Sequence, residues 1–267
     1  MISCWLHLFL GQGLIPFCPS SRQFHTITRT SNRIGPHNLD VISVLVGCLL
    51  GDAYSVKSNK DIPGTKFRFK QSGRHKAYLF FLYEFFYNRG YCTNSGPRVY
   101  KTILFTNKVK AGFLPAQAST GGGDKSAANK TPKTYYGYEF DLFTFSSLNW
   151  LYDLFYLNRI KIISPEIVNY LTPMSIAFLI MDDGGWVSGS KSVRIATNNF
   201  TKQEIELLRD IFKDKFNLDC TIQLLTKKGG NTPKDKYSLY IKVSSLPRLR
   251  ELVLPYMHSS MLYKLGL

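Results

Sequence analysis

Acidic residues are scarce in this 267-residue sequence, which has 18 Asp and Glu against 34 Lys and Arg and a formal net charge of +16. An excess of this size favours a polyanionic partner. The basic residues alternate with Tyr, Phe, Thr, Asn and Gln in short segments and are not gathered on one amphipathic helix, which favours nucleic acid over a membrane surface. A merely basic protein remains the alternative on charge alone, but we expect a nucleic-acid partner and no membrane.

Cysteine and histidine are also scarce, with five of each. The odd number of cysteines and the lack of any C-x-x-C spacing argue against a disulfide scaffold and against a zinc site. The histidines show neither H-E-x-x-H nor any other ligand spacing. Any metal should therefore be held by oxygen atoms.

The first 38 residues contain no Asp or Glu. The apolar stretch from Trp5 to Phe17 is too short and too broken by glycine and proline to span a bilayer. The run from Ser20 to Arg33 is rich in Arg and Ser, a composition typical of an organellar presequence, with an untranslocated leader as the alternative. We treat residues 1–38 as an N-terminal leader with little order.

Hydrophobic periodicity predicts the same series of elements twice, in residues 39–160 and 161–267. The first series has helices over 39–50, 76–88 and 148–157, with strands that include 66–71, 98–106 and 136–143. The second has helices over 174–182, 201–215 and 246–254, with strands over 192–196, 221–226 and 237–243. The polar segment 115–134 has no large apolar residue and predicts a flexible insertion in the first series. The fold class is therefore α+β, with two pseudo-symmetric αββαββα repeats.

Each repeat contains an apolar helix that ends in an acid followed by a small residue, Leu49-Leu50-Gly51-Asp52-Ala53 and Ile180-Met181-Asp182-Asp183-Gly184. If the two helices pack together, Asp52 and Asp183 emerge side by side. Two carboxylates at helix C-termini repel each other and the helix dipole unless a cation neutralises them. An ordinary polar helix end is the alternative for either acid alone, but the duplication favours a divalent metal, Mg²⁺ with Mn²⁺ as a plausible substitute.

These motifs carry a resemblance to a known family. The segments LVGCLLGDA (residues 45–53) and IAFLIMDDG (176–184), with YLTPMS (170–175) before the second and MLYKL (261–265) near the end, resemble the LAGLIDADG homing endonucleases. They are similar to the single-chain, two-motif class and to its mitochondrial intron-encoded subgroup. The resemblance implies antiparallel sheets that form a DNA-binding saddle, and a monomer that acts as a pseudo-dimer.

The resemblance also implies an activity. A member of this family makes a metal-dependent double-strand break in a long asymmetric DNA site, here in an intron-less allele of the host gene. An intron-encoded maturase that binds intron RNA and assists group I splicing uses the same scaffold, so a maturase or a dual-function protein is the alternative. A DNA-binding relic without cleavage is a third reading. The usual location of the resembled subgroup and the acid-free N-terminus favour the mitochondrion, with the chloroplast as second choice.

The active-site residues follow from the resemblance position by position. Asp52 and Asp183 match the metal-binding acids, with the carbonyls of Gly51 and Asp182 as auxiliary ligands. Lys264 matches a basic active-site residue, and Lys161 resembles its counterpart in the first repeat. Gln71 resembles an active-site glutamine with Asn198 as its second-repeat equivalent, although simple DNA contact is the alternative for both amides.

Basic and amide side chains on the strands are the candidates for DNA contact. Arg68 and Lys70 lie on one face of the alternating segment KFRFKQ, which makes that face a nucleic-acid candidate. A solvated surface charge is the alternative for each lysine. The full set of candidates is Arg68, Lys70, Lys101, Arg194, Asn198, Gln223, Lys227, Lys236 and Lys242.

Overall fold

The computed structural model describes residues 33, 35–58, 63–107, 130–225 and 236–267. The first repeat runs α1 (Leu39–Leu50), β1 (Tyr54–Lys57), β2 (Thr65–Ser72), α2 (Lys76–Asn88), β3 (Arg98–Asn107), β4 (Lys130–Asp141) and α3 (Asn149–Phe155). A two-stranded hairpin follows, β5 (Tyr156–Leu157) and β6 (Ile160–Lys161). The second repeat runs α4 (Pro173–Asp183), β7 (Gly184–Val187), β8 (Ser192–Ala196), α5 (Lys202–Phe216), β9 (Cys220–Leu225), β10 (Lys236–Ile241) and α6 (Leu246–Val253).

Each repeat forms one four-stranded antiparallel sheet. The strand orders are β1-β2-β4-β3 and β7-β8-β10-β9, so the two sheets have the same topology. In both, the strand that follows the acid-bearing helix forms one edge of the sheet. The prediction of an α+β fold with two αββαββα repeats is confirmed.

The acid-bearing helices α1 and α4 pack against each other at the centre of the molecule. Every residue of α1 from Val41 to Leu50 is buried, and so is every residue of α4 from Met174 to Asp182. A Cβ atom added at Gly47 would run into the carbonyl of Ser175, so glycine is needed for the helices to approach this closely. The glycine at this position thus allows the close approach of the two helix backbones.

The two faces of each sheet differ in polarity because side chains alternate along a strand. In β2, Phe67 and Phe69 are buried against the helices, while Arg68 and Lys70 lie on the opposite face. In β8, Val193 and Ile195 are buried and Arg194 is exposed. We call the faces that carry Arg68 and Arg194 the open faces of the two sheets.

Some boundaries differ from the sequence predictions. The edge strands β1 and β7 have only four residues each and were not assigned individually. Strand β4 begins at Lys130, so the last five residues of the predicted insertion 115–134 pair with β3, while 108–129 lie outside the described residues. β4 extends this far because each of these residues has a partner on β3.

The end of the predicted leader contacts the first repeat. Arg33 donates a hydrogen bond to the carbonyl of Thr144 at 3.1 Å. The ring of His37 lies 2.6 Å from the hydroxyl of Tyr91 and 2.8 Å from that of Ser147. Within the described ranges, no helix is both long enough and apolar enough to cross a membrane.

Candidate active site

The site lies where the ends of α1 and α4 meet. Asp52 is the second residue after the end of α1, and Asp183 is the last residue of α4. Both acids line one cavity of about 320 Å³. Its other lining residues are Gly51, Ala53, Tyr54, Lys161, Ala196, Asn198, Asn199 and Lys236. The structure therefore brings the two acids of the sequence motifs together, one from each repeat.

Two lysines bind the carbonyl groups at the ends of these helices. The Lys161 ammonium donates to the carbonyls of Gly51 at 3.0 Å and Ala53 at 2.8 Å. The Lys264 ammonium donates to the carbonyls of Met181 at 2.6 Å and Asp182 at 2.8 Å. Each lysine thus binds the carbonyl of the residue that precedes the acid. This shared position supports the assignment of Lys161 as the counterpart of Lys264.

The electrostatics of the cavity reflect the crowding of the acids. Burial and the neighbouring charge of Asp52 raise the pKa of Asp183 to about 7, and the two lysines only partly offset this. Burial lowers the pKa of Lys161 and of Lys264, although the nearby acids oppose that shift. The site therefore disfavours two ionised acids at once, and a cation between them would relieve the repulsion.

The side chain of Gln71 links the first-repeat acid to the second repeat. Its amide nitrogen donates to Asp52 Oδ2 at 2.8 Å and to Asp182 Oδ1 at 3.2 Å. The ring of His75 lies 3.2 Å from the Gln71 amide oxygen, so this amide is held from both ends. Gln71 therefore reaches the acids, as the sequence predicted, and it does so from the buried face of β2.

The strand register shows that Asn198 is not the second-repeat equivalent of Gln71. Tyr54, two residues after Asp52, pairs with Arg68, and Gln71 comes three residues later. Gly185, two residues after Asp183, pairs with Arg194, and three residues later stands Thr197. Thr197 is buried and donates to the Tyr237 carbonyl at 2.8 Å, whereas Asn198 is exposed and lines the cavity. The prediction of Asn198 was wrong by one residue, and a shift of one residue puts the side chain on the opposite face of the sheet.

The open face of the first sheet carries a network of ion pairs. Asp141 pairs with Lys66 at 2.8 Å, with Arg68 at 2.5 Å and with Arg98 at 3.2 Å. Glu139 pairs with Arg98 at 2.8 Å and with Lys70 at 3.8 Å. Burial raises the pKa of Asp141, but hydrogen bonds from Arg68 and Lys66 outweigh it and hold this pKa well below its usual range. Arg68 and Lys70 are thus present on the predicted face, with acidic partners.

Lys101 lies on the other face of the first sheet. The Lys70 ammonium lies 3.9 Å from the centre of the Tyr100 ring, so Tyr100 shares the open face with Lys70. Because neighbouring side chains alternate, Lys101 points to the opposite face, where it pairs across the sheet with Tyr136. The structure therefore separates Lys101 from the other candidate DNA contacts.

Candidates in the second sheet lie together on its open face. Ser238 of β10 pairs with both Ala196 of β8 and Gln223 of β9. Alternation along each strand then puts Arg194, Gln223 and Lys236 on the same face, all three exposed. Lys242 is also exposed and directly follows β10, while Lys227 lies outside the described residues.

One contact in the site and one pair of acids on the first sheet were not predicted from the sequence. Tyr78 donates its hydroxyl hydrogen to Asp182 Oδ1 at 2.9 Å, across 104 residues of sequence. No local pattern indicates such a contact. The pair of Glu139 and Asp141 did carry a signal, because two acids at alternate positions in a basic strand must share one face.

The oxygen atoms around the cavity fit a small divalent cation. Over the described part of the chain, no group of three or more His, Cys, Asp or Glu side chains is arranged to hold a metal ion. Two carboxylates with backbone carbonyls, water and substrate phosphate are a donor set typical of Mg²⁺. The carbonyls of Gly51 and Asp182 each accept a hydrogen bond from a lysine, and each carbonyl oxygen has a second lone pair.

Comparison with known proteins identifies the family. The model of the LAGLIDADG DNA endonuclease family matches residues 42–249, which include both acids. The chain belongs to the LAGLIDADG DNA endonuclease family. It is 38% identical over 187 residues to the intron-encoded endonuclease ai4 of Dictyostelium discoideum, a match that covers 70% of this chain and 99% of that relative.

A maturase is also among the relatives of this LAGLIDADG protein. The cytochrome b mRNA maturase bI2 of Debaryomyces hansenii is 30% identical over 231 residues, which cover 86% of this chain and 75% of the relative. The fold resembles the homing endonuclease I-WcaI bound to its DNA recognition sequence, with a TM-score of 0.65 and 26% identity. That match covers 94% of this chain and 96% of the solved chain. The family is therefore shown by sequence and by fold.

Proposed function

We propose that this LAGLIDADG endonuclease makes a site-specific double-strand break in a long asymmetric DNA site, in an intron-less allele of its host gene. The observation that carries the proposal is the single cavity lined by Asp52 and Asp183, one acid from each repeat. The two lysines at equivalent helix-end carbonyls support it. A monomer with this arrangement acts as a pseudo-dimer, in which each repeat serves one DNA strand.

The acids would hold the divalent ion, Mg²⁺ in the cell and Mn²⁺ as a substitute. Asp52 and Asp183 supply carboxylate oxygens, and the carbonyls of Gly51 and Asp182 lie directly beside them in sequence. When bound, the ion would neutralise the acids and stabilise negative charge that develops on the scissile phosphate. The raised pKa of Asp183, which burial and Asp52 cause, supports a cation as its partner in the working site.

The chain's own residues complete the chemistry. Lys161 and Lys264 are held in place by two carbonyls each, so their ammonium groups are fixed before DNA binds. Fixed cations of this kind stabilise charge on a phosphate without reorganisation. Gln71 holds the Asp52 carboxylate in place through its amide nitrogen.

The open faces of the two sheets would form the DNA saddle. Residues there enter the major groove, where phosphate contacts position the protein and base contacts give specificity. The candidates on these faces are Arg68, Lys70, Arg194, Gln223 and Lys236, and Lys242 is a further candidate directly after β10. The high net charge of +16 supports a large electrostatic contribution to binding.

A maturase activity is the second candidate function, and the maturase relative from Debaryomyces hansenii favours it. The same relative, named for cytochrome b mRNA, supports the mitochondrion as the location. Splicing of the host intron RNA with and without purified protein tests this activity. Faster splicing would add a maturase function, and unchanged splicing together with no tight RNA binding would remove it.

Plasmid cleavage tests the endonuclease. The substrate carries the intron-less version of the host gene, and wild type and Asp183→Asn are compared in Mg²⁺ and in EDTA. We expect a double-strand break with wild type in Mg²⁺ only, and DNA binding without a break for the variant. A plasmid that stays intact in Mg²⁺ at saturating protein would contradict the proposal.

A further inference from the structure

The two residues that precede the acids occupy equivalent positions but differ in kind. Gly51 precedes Asp52, and Asp182 precedes Asp183. Their carbonyls are bound in the same way, by Lys161 and Lys264. One repeat thus has no side chain at this position, while the other has a carboxyl group.

Space at the helix crossing explains why only one of them carries a side chain. A Cβ atom added at Gly51 would lie 2.5 Å from the Cβ of Asp182 and 2.8 Å from its Oδ2. These separations are far below van der Waals contact, so the Asp182 side chain fills the room that Gly51 leaves. The pseudo-symmetry of the site is broken at this pair.

The Asp182 carboxyl group is buried, with 8% of the residue exposed, and all its hydrogen-bond partners belong to the first repeat. Its Oδ1 accepts from the Tyr78 hydroxyl at 2.9 Å and from the Gln71 amide at 3.2 Å. Its Oδ2 accepts from the backbone N–H of Asp52 at 3.4 Å. A second-repeat side chain therefore fixes both Asp52 and the glutamine that holds the Asp52 carboxylate.

Resting on the endonuclease function proposed above, we propose that the Asp182 side chain is a positioning residue for the half of the active site that contains Asp52. It sets the place of Gln71 and of the Asp52 backbone from across the repeat interface. Cleavage of one DNA strand then depends on a group supplied by the other repeat.

Among the residues that the structure describes, none gives matching support to the half of the site that contains Asp183. Thr197, which stands at the strand position of Gln71, donates to the carbonyl of Tyr237 and to no acid. The position equivalent to Asp182 is Gly51, which has no side chain. Removing the Asp182 carboxyl group should therefore slow one strand more than the other.

Single-turnover cleavage of a duplex labelled on both strands tests this inference. The variants are Asp182→Ala, which removes the acceptor oxygens, Asp182→Asn, which keeps one for Gln71 and Tyr78, and Gln71→Ala as reference. Asp210→Asn, at an exposed position of α5 paired with Arg209, is the matched control. Thermal unfolding and DNA affinity in EDTA are measured for every variant, because these readouts do not depend on cleavage.

We expect Asp182→Ala to slow one strand on the order of 10- to 100-fold more than the other, in line with the cost of a misplaced catalytic group. The slowed strand should be the one that Gln71→Ala slows most, and the double variant should be no slower than either single variant. Asp182→Asn keeps the acceptor for Gln71 and Tyr78 but loses the one for the Asp52 N–H, so it should slow that strand clearly less than Asp182→Ala does. If Asp182→Ala does not fold, Tyr78→Phe should produce the same strand bias with a smaller size.

Three results would overturn the inference. Equal slowing of both strands by Asp182→Ala indicates a merely structural role. Slowing by Asp182→Asn as large as that by Asp182→Ala indicates a role of charge and not of position. No cleavage of either strand by wild type would remove the endonuclease proposal and this inference with it, whereas the first two results leave that proposal standing.

Discussion

The two repeats share their chemistry and differ in how that chemistry is supported. Each supplies an acid at a helix end and a lysine on the carbonyl before that acid. The first repeat adds Gln71, and the second adds the Asp182 carboxyl group that holds it. The two repeats therefore have the acid and the lysine in common, while the contact between the repeats has room for only one side chain at the position before the acid.

The open faces of the sheets differ in a second way. In the first sheet, Asp141 and Glu139 pair with basic residues on neighbouring strands. In the described strands of the second sheet, no ion pair joins neighbouring strands, and Arg194 is exposed. The basic side chains of the first face are oriented and partly neutralised by acids, whereas those of the second face, such as Arg194, are exposed without such pairing between strands.

Loss of either acid should have the largest effect and should be the same for both repeats. We expect Asp52→Asn and Asp183→Asn each to slow double-strand cleavage by roughly 10³-fold or more, because each removes a carboxylate from the cation site. Affinity for DNA in EDTA should stay within about twofold of wild type. Cleavage near the wild-type rate with either variant would break the equivalence of the two acids.

Burial raises the pKa of Asp182 as well as that of Asp183, so the effect of Asp183 on the pH dependence of stability has to be isolated by comparing wild type with Asp183→Asn. Its pKa of about 7 lies above the ordinary value of 3.8, so the folded state binds this proton more tightly than the unfolded state. The stability that this proton contributes is present below about pH 4 and is lost as the pH rises through 7. In EDTA, wild type should lose up to about 4 kcal/mol relative to Asp183→Asn over this range.

Urea unfolding of wild type and Asp183→Asn at a series of pH values measures this difference. Mg²⁺ should reduce the loss for wild type and have little effect on the variant. Parallel stability curves for the two proteins would show that Asp183 titrates at an ordinary pKa.

The two lysines should have similar effects if their equivalent positions reflect equivalent roles. We expect Lys161→Met and Lys264→Met each to slow cleavage by about 10²-fold, the cost typical of removing one fixed charge-stabilising group. Single-turnover rates measure this, with thermal unfolding as the control for lost helix-end contacts. A variant that unfolds at the wild-type temperature and cuts at the wild-type rate would show that its lysine has no active-site role.

The difference between the open faces should appear in the salt dependence of DNA binding. Arg194→Ala should reduce the slope of log K against log salt by about one, as expected for a phosphate contact. Arg68→Ala should reduce it less, because Asp141 already pairs with Arg68 at 2.5 Å. In an Asp141→Asn background the effect of Arg68→Ala should approach that of Arg194→Ala. If Arg68→Ala changed the salt slope by the same amount in the wild-type and Asp141→Asn backgrounds, the ion pair would have no influence on binding.

Much of the fold was predictable from local patterns. Helices α1 and α2 end where their apolar periodicity ends, and α5 begins within one residue of the predicted start, with a capping box formed by Thr201 and Glu204. The four-residue strands β1 and β7 were not predicted individually because alternation over so few residues is a weak signal. The duplicated motif predicted the meeting of Asp52 and Asp183, since equivalent helix ends come together when the helices pair.

The network behind the acids was not predictable. Tyr78 and Gln71 reach Asp182 across more than 100 residues of sequence, so the packing of the two repeats against each other brings them together. Asn198 was placed one residue from the true equivalent of Gln71, because strand register depends on pairing and not on local sequence. Packing and register are properties of the folded chain.

In the proposed function, the two repeats deliver one acid each to a single cation site at the DNA. A crystal of the complex with target DNA and Mn²⁺ tests it most directly, through the anomalous scattering of manganese. We expect anomalous density in the cavity, within coordination distance of carboxylate oxygens of both Asp52 and Asp183. Manganese bound beside only one acid, or only outside the cavity, would contradict it.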